Sequence, residues 1–235
     1  MKNDPAWIFD EQKSVGVNYF DRDLACTYDE QHEKFRNFKE ETKKIAATLN
    51  LSKDSLVLDI GCGTGGLAIN LAGMCKQVYA VDSSDAMLAV LNKKIKQQKL
   101  NNITTTRAGF ISYVHPEENL DAIIVNMCLH HLPDLWKQVA LIHLHTFLKP
   151  GGRLFLSDVV FSFKPDEYRK TLEDWVHEMR AMAGNQMADE TIVHIREEYS
   201  TWEWIMTGML EQAGFGIDNN FETMKNIRTY ICTKK

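Results

Sequence analysis

No stretch of the 235-residue chain approaches the roughly 18 consecutive apolar residues of a membrane span. Its first residues, Met1 to Gln12, lack the cationic start and continuous apolar run of a secretory signal. A cytoplasmic protein without membrane association is expected. Also missing is any basic block: 27 Lys and Arg stand against 32 Asp and Glu, a net charge of -5, the wrong balance for neutralising many phosphates. Nucleic acid is therefore disfavoured as a partner. There is no C-x-x-C pair, and the five cysteines, Cys26, Cys62, Cys75, Cys128 and Cys232, are odd in number and scattered. They suggest neither a disulfide framework nor a zinc cage, so free thiols and no metal are expected. Internal repeats and low-complexity segments are absent too. What remains, 44% hydrophobic and 25% charged residues, suits one sizeable core with a modest appendage, as a monomer or homodimer.

From Asp54 onward short apolar runs alternate with helical patterns, the signature of βαβ units on a parallel sheet and hence of an α/β fold. Strands are expected at Val57 to Ile60, Val78 to Val81, Ile103 to Arg107, Ala122 to Asn126 and Arg153 to Ser157. Ser84 to Gln98 reads as a helix, with Met87, Leu88, Leu91 and Ile95 on one face. Asp134 to Leu148 reads as another, stopped by Lys149-Pro150-Gly151-Gly152. Before the core, Asp29 to Leu49 has the pattern of a single amphipathic helix, preceded by an aromatic segment with Trp7, Phe9, Tyr19 and Phe20. The rhythm breaks at Phe161 and resumes near Phe215, an insertion of about fifty residues where a βα connection takes far fewer. Within it, Asp166 to Met182 is helical in pattern, and Ser200-Thr201-Trp202-Glu203 reads as a capping box opening a helix that ends at Gly214. The last strands are expected at Gly216 to Phe221 and Arg228 to Cys232. The whole is one domain: residues 1–50 a helical cover, 51–160 the core, 161–214 a helical insertion and 215–235 the closing strands.

The densest signal is Val57-Leu58-Asp59-Ile60-Gly61-Cys62-Gly63-Thr64-Gly65-Gly66, a strand entering a glycine-rich turn and then a helix. Such glycines weaken local structure unless a ligand or another backbone must approach closely. A plain βα turn is the bland alternative. Gly61, Gly63 and Gly66 satisfy G-x-G-x-x-G, and Asp82 follows Gly61 by 21 residues, as in a dinucleotide fingerprint. A nicotinamide-dependent oxidoreductase is thus one reading. Asp59 argues against it, because a carboxylate at the strand end would repel a pyrophosphate. S-adenosylmethionine has an ammonium and a sulfonium instead, which a carboxylate favours. Asp82 can accept ribose hydroxyls from either ligand. A cofactor-binding protein without catalysis is a third reading.

In these residues the chain resembles the class I S-adenosylmethionine-dependent methyltransferases, small-molecule type, similar to the ubiquinone and menaquinone methyltransferases. The resemblance runs from about residue 50 to 160. It rests on VLDIGCGTG, on Ala80 to Leu88, on Leu129-His130-His131-Leu132 and on Leu148 to Gly152. It implies a Rossmann-like, doubly wound seven-stranded sheet, mostly parallel with an antiparallel last strand. It also implies S-adenosylmethionine as cofactor and S-adenosylhomocysteine as product, held by Asp59, Gly61, Cys62, Gly63, Gly65, Asp82, Ser83 and Met87. Gly109 and Phe110 would meet adenine, and Asn126 and Met127 would offer backbone contacts. Where many relatives carry an acidic residue beside adenine, this chain has Ala108-Gly109-Phe110.

Methyl transfer to a small-molecule acceptor, by in-line displacement, needs orientation, dryness and, for oxygen or nitrogen, a proton acceptor. The candidates are His130 and His131 at the carboxyl edge of the sheet, Tyr28 before the core helix, and Asp158. A structural histidine is the competing reading for each of the pair. His143 and His145 fit packing or surface positions. In the insertion, His194, Arg196, Glu197, Glu198 and Tyr199 form a polar run followed by Trp202 and Trp204, readable as part of an acceptor lid or as a solvated helix face.

Overall fold

In the computed structural model, which describes residues 5–117 and 119–235, the sheet begins with the apolar run β1 (Leu56–Ile60). Residues 1–4 of the expected cover lie outside the described residues. The chain continues through α3 (Ala68–Ala72), β2 (Gln77–Asp82), α4 (Asp85–Gln98), β3 (Ile103–Arg107) and β4 (Leu120–Asn126). Then come α5 (Asp134–Phe147) and β5 (Leu148–Phe161). Two helices precede the sheet, α1 (Arg22–His32) and α2 (Phe38–Thr48). After β5 come α6 (Tyr168–Ala183), α7 (Asn185–Glu197), β6 (Thr201–Trp202), α8 (Glu203–Gln212), β7 (Phe215–Met224) and β8 (Ile227–Lys234).

Strand order is β3-β2-β1-β4-β5-β8-β7, with the two-residue β6 set against the end of β5. The last strand, β8, runs antiparallel to both β5 and β7, so the main sheet has the seven-stranded form expected, and β6 adds an eighth, short strand. Period-2 alternation sorts the strand residues into two layers. Leu58, Ile60, Ile123, Val125, Leu154 and Leu156 pack under α5 and α8 with Leu141, Leu144, Met206 and Leu210. Val57, Val78, Ala80, Ala122, Ile124 and Phe155 pack under α2, α3 and α4 with Ile45, Leu71, Leu88 and Leu91. Because β1 pairs with β2 on one side and β4 on the other, strand order reverses there, and a crevice opens beyond their carboxyl ends.

Several boundaries differ from the sequence pattern for local reasons. The single helix expected over Asp29 to Leu49 is two: α1 is capped by Glu33, and the Asn37 side chain caps α2 through the Glu40 amide. The capping box at Ser200 does not form. Ser200 Oγ pairs with His194 Nε2 at 2.7 Å, Thr201 Oγ1 donates to Asp134, and α8 starts from Trp202 without a side-chain cap. Lys149 to Gly152 belongs to β5, which runs 14 residues rather than five. The helix α8 packs on α5 and the sheet as part of the core, so the part of the insertion outside the sheet layers is α6 and α7.

Candidate active site

A partly open cavity occupies the crevice. Gly61 and Gly63 after β1, Asp82 and Ser83 after β2, Gly109 and Phe110 after β3, and Met127 after β4 line it. Met87 on α4, Tyr28 on α1 and His131 complete the wall, while residues Phe9 to Phe20 form the roof. None of the described residues from 161 to 214 lines this cavity. The insertion instead braces the roof: Glu198 accepts from Val17 N at 3.3 Å, and Gln186 donates to Gln31 at 2.8 Å.

The glycines divide by task. A Cβ on Gly61 would meet Cys128 Sγ, one on Gly65 would meet Leu91, and one on Gly66 would meet the Phe38 ring. These three permit close packing. Gly63 has φ +54, and a Cβ added there would find nothing within 4 Å, because that direction is the cavity. A backbone open in this way fits a ligand lying against it. Met127 also holds a left-handed backbone, φ 57, costly for a non-glycine residue, with its amide bonded to Ser157 O at 2.8 Å.

Asp82 Oδ2 accepts from Gly63 N and Oδ1 from Ser84 N, both at 2.8 Å, leaving lone pairs of each oxygen toward the cavity. Burial raises its carboxyl pKa, against these two bonds. Asp59 is buried under the loop, outside the lining, with Oδ2 unpartnered. Burial, then Asp82, pushes its pKa up to about 7, Glu41 adding to this and the Ala68 amide and Arg36 opposing. An orphaned buried carboxylate calls for a cation, and an ammonium-bearing cofactor answers that need better than a phosphate.

Other expected contacts lie elsewhere. Cys62 is a buried core residue beside α3, and Gly65 serves helix packing. The Asn126 side chain turns away to donate to Glu41 at 2.9 Å, where Glu41 also holds Arg36. His130 stands behind the wall. An acid reaches the loop after β3 from the roof: Glu11 accepts from Ile111 N and Ser112 N, each 2.9 Å, and packs against Gly109. Nothing in the local pattern of Glu11 marks this, because its partners lie a hundred residues away.

Behind the cavity wall lies a buried polar cluster. His130 Nδ1 is paired with Asp158 Oδ1, and Asp158 Oδ2 accepts from His130 N at 3.0 Å. Burial alone would lower the His130 pKa, but Asp158 outweighs it and the value is raised. Asp158 is lowered in turn, His130 overcoming burial. His131 faces the cavity, its ring 5.6 Å from Tyr19, and burial followed by the His130 charge lowers its pKa to about 3. Tyr28 is pushed up to about 12, mainly by burial, and stacks on His32. It stays a neutral phenol in the wall.

Fold and site together are similar to those of the methyltransferases. Residues 57–152, from the glycine loop through Gly152, match the family model described as a methyltransferase domain. The chain is 29% identical over 188 residues to an uncharacterized methyltransferase of Geobacillus kaustophilus, covering 80% of each protein. It is 27% identical over 147 residues to a demethylmenaquinone methyltransferase of Geobacillus stearothermophilus, 60% of this chain and 62% of that one. In fold it is similar to the N-methyltransferase NodS of Bradyrhizobium japonicum, solved with S-adenosylhomocysteine: TM-score 0.64, 16% identity, 96% of this chain and 99% of that one.

Proposed function

We propose that the protein methylates a small-molecule acceptor bound in the inner end of the cavity, beside His131, under the roof formed by residues 9–20. The observation that carries this is a roofed cavity of molecular rather than macromolecular size, joining Gly63 and Asp82 to a buried imidazole. S-adenosylmethionine supplies an electrophilic methyl on its sulfonium. Asp82 would take the ribose hydroxyls, Gly63 would let the cofactor lie on the loop, and Asp59 would favour its ammonium. Phe9, Val17, Tyr19 and Tyr28 would exclude water and align the acceptor for in-line displacement.

His131 is uncharged across the physiological range, and so low a value makes it a weak base, so its role would be to orient the acceptor as a hydrogen-bond partner. His130, tied to Asp158, would fix the position of the neighbouring ring. The demethylmenaquinone relative makes a quinol-like aromatic acceptor a sensible first choice for a panel. The test is mass spectrometry of a metabolite extract incubated with enzyme and isotopically labelled S-adenosylmethionine. A small molecule gaining one labelled methyl is expected, and His131→Ala should lower kcat more than it raises KM. Tight S-adenosylhomocysteine binding with no labelled small molecule across extract and panel would sink the proposal.

A further inference from the structure

The cluster behind His131 contains more ligating chemistry than acid–base work requires. His130, His131 and Glu198 each bring a nitrogen or oxygen donor into one region, all within 4.8 Å of one another. His130 Nε2 and Glu198 Oε2 approach to 3.3 Å. They form an ion pair when the imidazole is charged. Two ligands about 2.1 Å from a tetrahedral ion stand about 3.4 Å apart, so the same spacing fits a shared ion's coordination edge. We propose that His130, His131 and Glu198 form a site for a divalent transition metal ion of the zinc type, set in the wall of the cavity.

The surroundings are those of ligands already oriented. Asp158 holds His130 Nδ1, leaving Nε2 for the ion, the carboxylate–histidine–metal arrangement that fixes a ligand's tautomer. His194 Nδ1 pairs with Glu198 Oε2, the oxygen that also approaches His130, and Val17 N donates to Oε1, while His194 Nε2 bonds Ser200 Oγ at 2.7 Å, so the carboxylate is fixed by both oxygens. Glu198 itself is delivered by a fixed stretch of chain. Tyr199 N donates to His130 O at 2.8 Å, Lys137 Nζ donates to Tyr199 O, and Thr201 joins β6 against Val160. Lys137 is also bound by Asp134 at 2.8 Å.

Two imidazoles and one carboxylate prefer zinc, cobalt or manganese over magnesium or calcium, which favour oxygen alone. Three protein ligands leave a fourth position open, and His131 places it beside the cavity. The ligand expected there is an acceptor oxygen or water, so in the metal-loaded protein His131 would serve as a ligand and the ion, as Lewis acid, would take over the polarising of the acceptor. The inference does not depend on the proposed function, because its readout is metal binding itself.

The test uses full-length protein stripped with chelator, then titrated with Co²⁺ while visible d–d absorption is followed, and with Zn²⁺ while melting temperature is measured. One equivalent of Co²⁺ should give the absorption of a low-symmetry site, and Zn²⁺ but not Mg²⁺ should raise the melting temperature. Glu198→Gln and His131→Gln should weaken binding at least 100-fold, and Asp158→Asn about 10- to 100-fold. Circular dichroism reports whether each variant is folded. A wild-type protein giving no cobalt spectrum and no zinc-dependent stabilisation would overturn the site, a result independent of any variant's folding. So would folded Glu198→Gln and His131→Gln variants that bind Co²⁺ as wild type does.

Discussion

On the proposed reading, Asp82 and the glycine loop would concentrate the cofactor's binding energy on a few atoms. Asp82→Ala should weaken S-adenosylhomocysteine binding by one to two orders of magnitude, about 1.5–3 kcal/mol, since a charged acceptor of hydroxyl bonds is lost. An unchanged dissociation constant by calorimetry, in a folded variant, would refute the ribose assignment. Gly63 and Gly65 make a sharper pair. Gly63→Val should abolish cofactor binding, because its side chain enters the cavity from a left-handed backbone, while Gly65→Ala should chiefly lower the melting temperature by striking Leu91. Asp59 gives a pH signature. Its folded value near 7 lies above the ordinary 3.8, so between those values the folded apoprotein holds a proton that the unfolded chain has released. This stabilising contribution is full below about pH 4 and is lost as pH rises through about 7. A cofactor ammonium favours the ionised carboxylate, so binding near pH 6 should expel a proton. Calorimetry in buffers of different ionisation heat measures that proton, and Asp59→Asn should remove it; equal release from both proteins would dissociate Asp59 from the cofactor.

The roof segment and α1 are held to the core by a small number of long-range bonds. Asp29 Oδ1 accepts from Thr64 Oγ1 at 2.6 Å and its other oxygen meets Lys94 Nζ, tying α1 to the glycine loop and to α4. Asp29→Ala leaves the buried Thr64 hydroxyl without that partner and should cost about 1–2 kcal/mol, read by denaturant unfolding. Segments that cover a site draw on locally weak structure, so S-adenosylhomocysteine should slow hydrogen exchange in residues 9–28 together with the glycine loop. Exchange slowing only between Asp59 and Met127 would make the roof a static part of the core. The strands were legible in the sequence because continuous apolar runs such as Val57-Leu58 and Ile123-Ile124-Val125 mark a sheet covered on both faces. The break between α1 and α2 was not, since the polar pattern passes through Glu33 to Asn37 without proline or glycine. Ser200 misled for a related reason: its hydroxyl had a tertiary partner, His194, that no local pattern shows.

At the scale of the molecule, the sequence carried the α/β fold and the crevice at the strand ends, because both follow from contiguous motifs there. It did not carry the site's outer shell. Glu11 reaches the loop after β3, and Glu198 reaches His130, only through the assembled sheet, and neither residue type is unusual where it stands. Of the two segments expected to cover the site, residues 1–50 and the insertion 161–214, the first supplies lining residues of the cavity and, among the described residues, the second supplies none. The position of the roof has a consequence for how the chain is made. Phe9, Glu11, Tyr19 and Tyr28 leave the ribosome before the elements they pack on, for Glu11 bonds to amides about 100 residues downstream and Thr64 follows Asp29 by 35. Closing such distances requires the partner strands to exist already. The roof segment is therefore made before its partners and settles after them, and its aromatic side chains stay exposed to chaperones until β3 and the loop after it have emerged.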